Sequence, residues 1–148
     1  MKLILVRHGE TEGNIIGLLE DSKGKLSKNG ANQIKKLALR LKNEKIDAIF
    51  SSPYQRAKKT ALSIVKYHKK IPINFVDELK EMNHGSYSGK KTNEVDWENM
   101  PSDVESRKSL YKRAKKLLSK NYKKYKDKTV LFVGHNAINK ALIRVILN

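Results

Sequence analysis

The chain has 148 residues, with 32 Lys and Arg against 15 Asp and Glu for a formal net charge of +17, and it has no cysteine. That length suits one compact domain with a continuous core. The missing thiols exclude disulfides, cysteine nucleophiles and thiolate metal sites, leaving imidazole, carboxylate, hydroxyl and amine groups for any chemistry.

Leu3-Ile4-Leu5-Val6 predicts a strand, Lys2 to Val6, buried on both faces of a parallel sheet. Arg7, His8 and Gly9 follow at its carboxyl end, where α/β folds place reactive groups. Arg7 interrupts the apolar run, which is too short for a signal-peptide core or a bilayer span and implies a soluble, cytoplasmic protein with no membrane partner. Ser27 to Asn43 predicts a helix with Ile34, Leu37, Ala38 and Leu41 on one stripe, and Ser27 suits its cap. A strand follows at Ala48 to Ser51, then a helix at Pro53 to His68 with Ala57, Ala61, Ile64 and Val65 inward, then a strand at Ile73 to Val76. Asp77 to Pro101 is the longest stretch without periodicity and reads as a functional loop or lid. Ser102-x-x-Glu105 offers a capping box for a long basic helix that turns Leu110, Ala114, Leu117, Leu118 and Tyr125 inward and its cations to solvent. Val130 to Val133 predicts the last strand and Ala137 to Leu147 the last helix. The class is α/β: a three-layer α/β/α domain spanning 1–148, its central sheet mainly parallel and of about four strands.

A parallel sheet gathers its carboxyl-end loops, so Arg7 and His8 meet the Ser51 to Arg56 segment and Gly134-His135. Glu78 and Glu81, after the third strand, are candidate acids. Guanidinium binds phosphate through two parallel hydrogen bonds, which makes a phosphoryl group the expected ligand.

Ordered blocks along nearly the whole chain resemble the histidine phosphatase superfamily, also called the phosphoglycerate mutase-like family. Its opening pattern appears as Arg7-His8-Gly9-Glu10-Thr11-Glu12-Gly13-Asn14, followed by Leu26-Ser27, Gly30 and Gln33. Ser51-Ser52-Pro53-Tyr54-Gln55-Arg56-Ala57 is similar to the second phosphate-binding block. Leu79-Lys80-Glu81-Met82-Asn83-His84-Gly85 resembles the block that carries the acid, and Val133-Gly134-His135-Asn136 the closing one. The resemblance implies a phosphomonoesterase in which His8 becomes a phosphohistidine and Glu81 protonates the leaving group. Arg7, Asn14, Arg56 and His135 would bind the phosphoryl oxygens, with no metal and no other cofactor. Asn136 departs from the small residue common at its position. A compact segment between Gly89 and Ser102 favours a phosphatase over phosphoglycerate mutase-type transfer, because water then reaches the intermediate.

The expected partner is a small phosphorylated substrate or a phosphoprotein. A binding function without catalysis, toward phosphorylated ligands or nucleic acid, is the competing reading. It rests for nucleic acid on charge alone, since no RNA-binding aromatic motif or zinc finger accompanies the lysines. An open sheet edge leaves room for a homodimer. His68 reads as a solvated helix-end residue, and His84 as either a substrate contact or a surface histidine.

Overall fold

Alternation of side chains along the strands sorts the apolar residues onto two faces of one sheet. In the computed structural model, which describes residues 1–148, β1 (Lys2–Arg7), β2 (Ala48–Ser51), β3 (Ile73–Phe75) and β4 (Thr129–Gly134) are all parallel, in the order β1-β4-β2-β3. Ala48, Phe50, Val130 and Phe132 enter one core, and Val6, Ile49, Leu131 and Val133 the other. Five α-helices complete the chain: α1 (Glu12–Ile15), α2 (Lys28–Leu41), α3 (Gln55–Val65), α4 (Arg107–Lys124) and α5 (Asn136–Leu147). α2 and α3 cover the Ile49 face through Ala38, Leu41, Ala57, Ala61 and Ile64. α4 and α5 cover the Phe50 face through Leu110, Ala114, Leu117, Ile138 and Leu142. Val130, Leu131, Phe132 and Val133 are each 0% exposed, and burying a side chain of this size stabilises the fold by about 1.5–3 kcal/mol. β4 is therefore the spine of both cores, which its unbroken apolar run already suggested.

Register decides what meets at the carboxyl edge. Arg7 stands opposite Gly134, and Ser51 opposite Val133. The His8 N–H donates to the Gly134 carbonyl at 3.1 Å and the Ser52 N–H to that of Val133 at 2.9 Å, so three strand-end loops are hydrogen-bonded to one another before any side chain is considered.

Two expectations need correction, the helix cap and the lid half of the loop reading, and one helix was not foreseen. The long basic helix is capped by Ser106, whose side chain accepts from the Ser109 N–H, and not by Ser102 with Glu105; Glu105 is diverted to the Asn83 N–H and to Arg113. The Asp77 to Pro101 stretch is no free lid. It forms 3-10 turns at Asp77–Leu79, Gly85–Tyr87 and Thr92–Glu94, buries Leu79, Met82 and Tyr87 in the core, and is laced to the loop after α1 by Leu19, Gly89 and Thr92 backbone hydrogen bonds. α1 itself carries no apolar stripe that could have announced it. Thr11 caps it, its hydroxyl accepting from the Asn14 N–H while the Asn14 side chain accepts from the Thr11 N–H.

Candidate active site

His8 leaves β1 into a turn that only glycine fits. A Cβ on Gly9 would stand 2.7 Å from the Gly30 carbonyl oxygen and 2.7 Å from Ile34 Cγ2, so the loop lies directly on α2. His8 is 7% exposed, with Nδ1 2.7 Å from the Gly9 carbonyl oxygen. A carbonyl only accepts, so Nδ1 carries the proton and Nε2 the lone pair. Burial, reinforced by Arg56 and Arg7 and opposed by the Gly9 hydrogen bond, brings the pKa down to about 4. The ring is neutral at physiological pH, and its Nε2 can act as a nucleophile.

Arg56 stands in the first turn of α3 and is 2% exposed. Its Nε donates to His8 Nε2 at 3.2 Å and one terminal nitrogen to the Asp21 carbonyl at 2.6 Å. Burial lowers its pKa from the ordinary guanidinium value, an effect opposed by Glu20, Glu81, Tyr54 and Asp21.

His135 is 0% exposed, with its ring centroid 5.0 Å from that of His8. Its Nε2 lies 2.8 Å from Ser52 Oγ, the same oxygen that accepts from the Tyr54 N–H, and its buried Nδ1 has no hydrogen-bond partner. Burial first, then Arg56, His8, Arg113 and Arg7, bring its pKa down to about 2. A neutral ring with an unpaired buried nitrogen beside the nucleophile is costly unless a ligand completes it.

Glu81 reaches the amino end of α5. Oε1 accepts from the Met82, Ala137 and Ile138 N–H groups at 3.0, 3.0 and 3.3 Å, and Oε2 from the Ala137 N–H at 3.3 Å. His135 gives that helix no side-chain cap, so Glu81 satisfies donors that would otherwise be orphaned. The loop that presents Glu81 is held by Arg113, which donates to the carbonyls of Glu78, Lys80 and Glu81 at 2.8, 2.9 and 3.1 Å. Arg113 also forms two hydrogen bonds to Glu105, at 2.7 and 2.8 Å, and Glu105 in turn accepts from the Asn83 N–H. Sequence reasoning placed Arg113 on the wet face. Its spacing held the signal, since 113 shares the stripe of Leu110, Ala114 and Leu117.

A cavity of about 780 Å³ joins these groups, lined by Arg7, His8, Asn14, Arg56 and Glu81. Of the residues expected to act together, His135 alone is off the wall, buried against His8. Glu78 does not line the cavity, which favours Glu81 of the two acids. Asn14 is doubly engaged, as the α1 capping partner and as a 3.5 Å donor to Glu20. His84 does line the cavity, edge-on to Trp97 at 6.4 Å, and burial lowers its pKa. His68 is not a purely solvated end, for its Nε2 lies 3.1 Å from the Leu41 carbonyl and ties α3 to α2. Ser27 caps α2 as expected and also donates to Glu10. Glu20, Trp97 and the cations of α4 and α5 were missed, because nothing in their local sequence marks them as cavity residues.

A buried guanidinium beside a neutral imidazole that carries its lone pair on Nε2, with a carboxyl group on the opposite wall, suits displacement at a phosphoryl centre. Several known proteins that this chain resembles are named as phosphatases. Residues 3–148 match the family model for the histidine phosphatase superfamily (branch 1). Phosphoserine phosphatase 1 of Hydrogenobacter thermophilus is 35% identical, covering 99% of this chain and 76% of that protein. The uncharacterized phosphatase PhoE of Bacillus subtilis is 33% identical over 94% of this chain and 74% of its own length. Among solved structures, a mutant phosphoserine phosphatase from Entamoeba histolytica in complex with phosphoserine superposes with a TM-score of 0.86 at 30% identity, over 98% of this chain and 79% of that one. Bacillus stearothermophilus YhfR superposes with a TM-score of 0.89 at 26% identity, over the same shares.

Proposed function

The chain belongs to the histidine phosphatase superfamily and is a phosphatase of that kind; from this we propose that residues 1–148 act as one catalytic domain that hydrolyses small phosphate monoesters through a phosphohistidine on His8. The observation that carries the assignment is the His8–Gly9 hydrogen bond, which fixes the proton on Nδ1 and the lone pair on Nε2, where it accepts from the Arg56 Nε–H until a phosphoryl group takes that donor over. Nε2 attacks phosphorus in line, and the P–O bond to the leaving alkoxide breaks. The ring gains positive charge as it is phosphorylated, and the Gly9 carbonyl stabilises it through the Nδ1–H bond. Arg7 and Arg56 face the developing charge on the phosphoryl oxygens. The unpaired Nδ1 of His135 supplies a further N–H once Ser52 Oγ donates to Nε2, and fixed donors of this kind are worth about a hundredfold to a thousandfold each.

Glu81, as the acid, gives its proton to the departing alkoxide. The resulting carboxylate accepts a proton from the water that attacks the phosphohistidine, and inorganic phosphate leaves with His8 neutral again. The three backbone N–H groups that hold Glu81 keep its oxygens in place through both steps. The cavity opens past the exposed Arg7, so water reaches the intermediate, which supports hydrolysis over return of the phosphoryl group to a second acceptor.

The test is hydrolysis of an aryl phosphate by wild type and His8→Ala, with acid-labile phosphoprotein trapped during turnover. The expected outcome is loss of turnover by about 10⁴-fold or more in the variant, together with loss of the adduct. Full turnover by His8→Ala would overturn the assignment. An adduct whose phosphoryl group passes to a phosphoglycerate faster than to water would establish mutase-type transfer instead.

A further inference from the structure

The cavity is larger than a phosphoryl group needs, and its two ends differ in charge. Its only carboxylate side chains, Glu20 and Glu81, both belong to the His8 end: Glu20 is hydrogen-bonded to Thr11 and Asn14, and Glu81 caps α5. Arg107 and Lys108, from the first turn of α4, and Lys140 and Arg144, from α5, line the same cavity. None of these four takes part in an ion pair. All four residues are exposed, so water screens part of their repulsion and leaves them open to a ligand. Cations in the first turn of a helix oppose its dipole, and Lys140 and Arg144, one turn apart, repel each other along one face. An anion between the two helices would relieve both.

We infer that α4 and α5 form a second anion subsite, and that the substrate is a phosphomonoester carrying another phosphate or carboxylate at its far end. This rests on the phosphatase reading and narrows its substrate class. α5 supplies the ruler. Glu81 accepts from Ala137 at the start of the helix, and a rise of 1.5 Å per residue sets Lys140 about 4.5 Å and Arg144 about 10.5 Å farther along the axis. The second anion therefore sits several bonds from the ester oxygen. Tyr111 and Ala141 line the cavity with these cations and offer the carbon chain an apolar surface.

The experiment compares kcat/KM for hexanediol monophosphate, hexanediol bisphosphate and phosphonooxyhexanoate. Wild type should favour at least one of the two doubly anionic esters by about tenfold or more, mostly through KM, as one or two charge-assisted hydrogen bonds provide. Which one it favours tells phosphate from carboxylate. The preference should collapse toward unity in Lys140→Met/Arg144→Met and survive in Lys115→Met/Lys123→Met, whose exposed lysines lie off the cavity. Equal rates for the three esters, or equal loss of preference in both double variants, would overturn the subsite, the latter assigning the effect to bulk charge. If no ester is hydrolysed, the same ratios read from equilibrium binding decide the subsite, while the phosphatase reading fails separately.

Discussion

The two walls of the cavity are built differently. His8 and His135 directly follow β1 and β4, and Arg56 stands in the first turn of the helix after β2; all three are at most 7% exposed, and the two imidazoles are oriented by backbone that the sheet already holds. The opposite wall, with Glu81, His84 and Trp97, comes from a segment without α-helix or strand, from Asp77 to Ser106, fixed by side-chain clamps such as Arg113–Glu105. The contrast teaches where each kind of precision comes from. Strand ends fix the two imidazoles because parallel pairing leaves them little freedom, whereas Glu81 is only as well placed as the arginine that holds its loop.

The sharpest way to break this comparison is Glu81→Gln. The amide keeps an oxygen for the Ala137 N–H yet cannot act as the acid, so an alkyl phosphate should lose about 10²–10⁴ in kcat. An aryl phosphate, with its better leaving group, should lose far less in the phosphorylation step. Equal losses for both esters in single-turnover assays would remove Glu81 from protonation of the leaving group.

Arg56→Ala should cost about 10²–10³ in kcat/KM whatever the leaving group, because Arg56 serves the phosphoryl oxygens that every ester shares. A loss that varied with the leaving group would blur the two walls into one.

Arg113→Met acts through Glu81 and never touches substrate. It removes three carbonyl contacts and the Glu105 pair, and about a tenfold fall in kcat with little change in KM is expected, since a misplaced catalytic group loses rate before binding. Arg113→Lys should recover part of this. The loss in Arg113→Met should be larger for an alkyl than for an aryl phosphate, and the same for both in a variant that is merely less stable.

The smallest effect belongs to the strand-end wall and concerns stability. His8 titrates at about 4 in the folded protein against 6.5 as its ordinary value, and His135 at about 2. The unfolded chain therefore binds more protons below 6.5, so stability is lost as pH falls from 6.5 through 4, by on the order of 3 kcal/mol for His8 at 1.36 kcal/mol per unit. Urea unfolding between pH 7 and 4.5 should show this slope, and His8→Gln should remove about half of it, because His135 contributes an equal slope over the same range. An unchanged slope would mean that His8 is not held neutral by the fold.

What could be read from the residues follows the same division. The four strands were legible because buried parallel strands are continuous apolar runs, and Arg7, His8, Arg56 and His135 were legible because they follow such runs or open the next helix. The Ser102–Glu105 capping box was misread because the motif is local, while Glu105 is claimed by Arg113 from two turns into α4. α1 and the 3-10 turns escaped notice because three or four residues show no period. Glu20, Trp97 and the α4 and α5 cations carry no local mark at all.

Sequence by itself determined the α/β class and the order of strands along the chain, and it put His8 forward as the candidate nucleophile, because hydrophobic period and strand-end position are one-dimensional properties. Only the tertiary structure decided that Nδ1 of His8 holds the proton and Nε2 the lone pair, that Glu81 and not Glu78 faces the cavity, and that four cations gather along its α4 and α5 walls. Those facts depend on which side chains converge across helices and loops far apart in the chain, and no local pattern encodes that convergence.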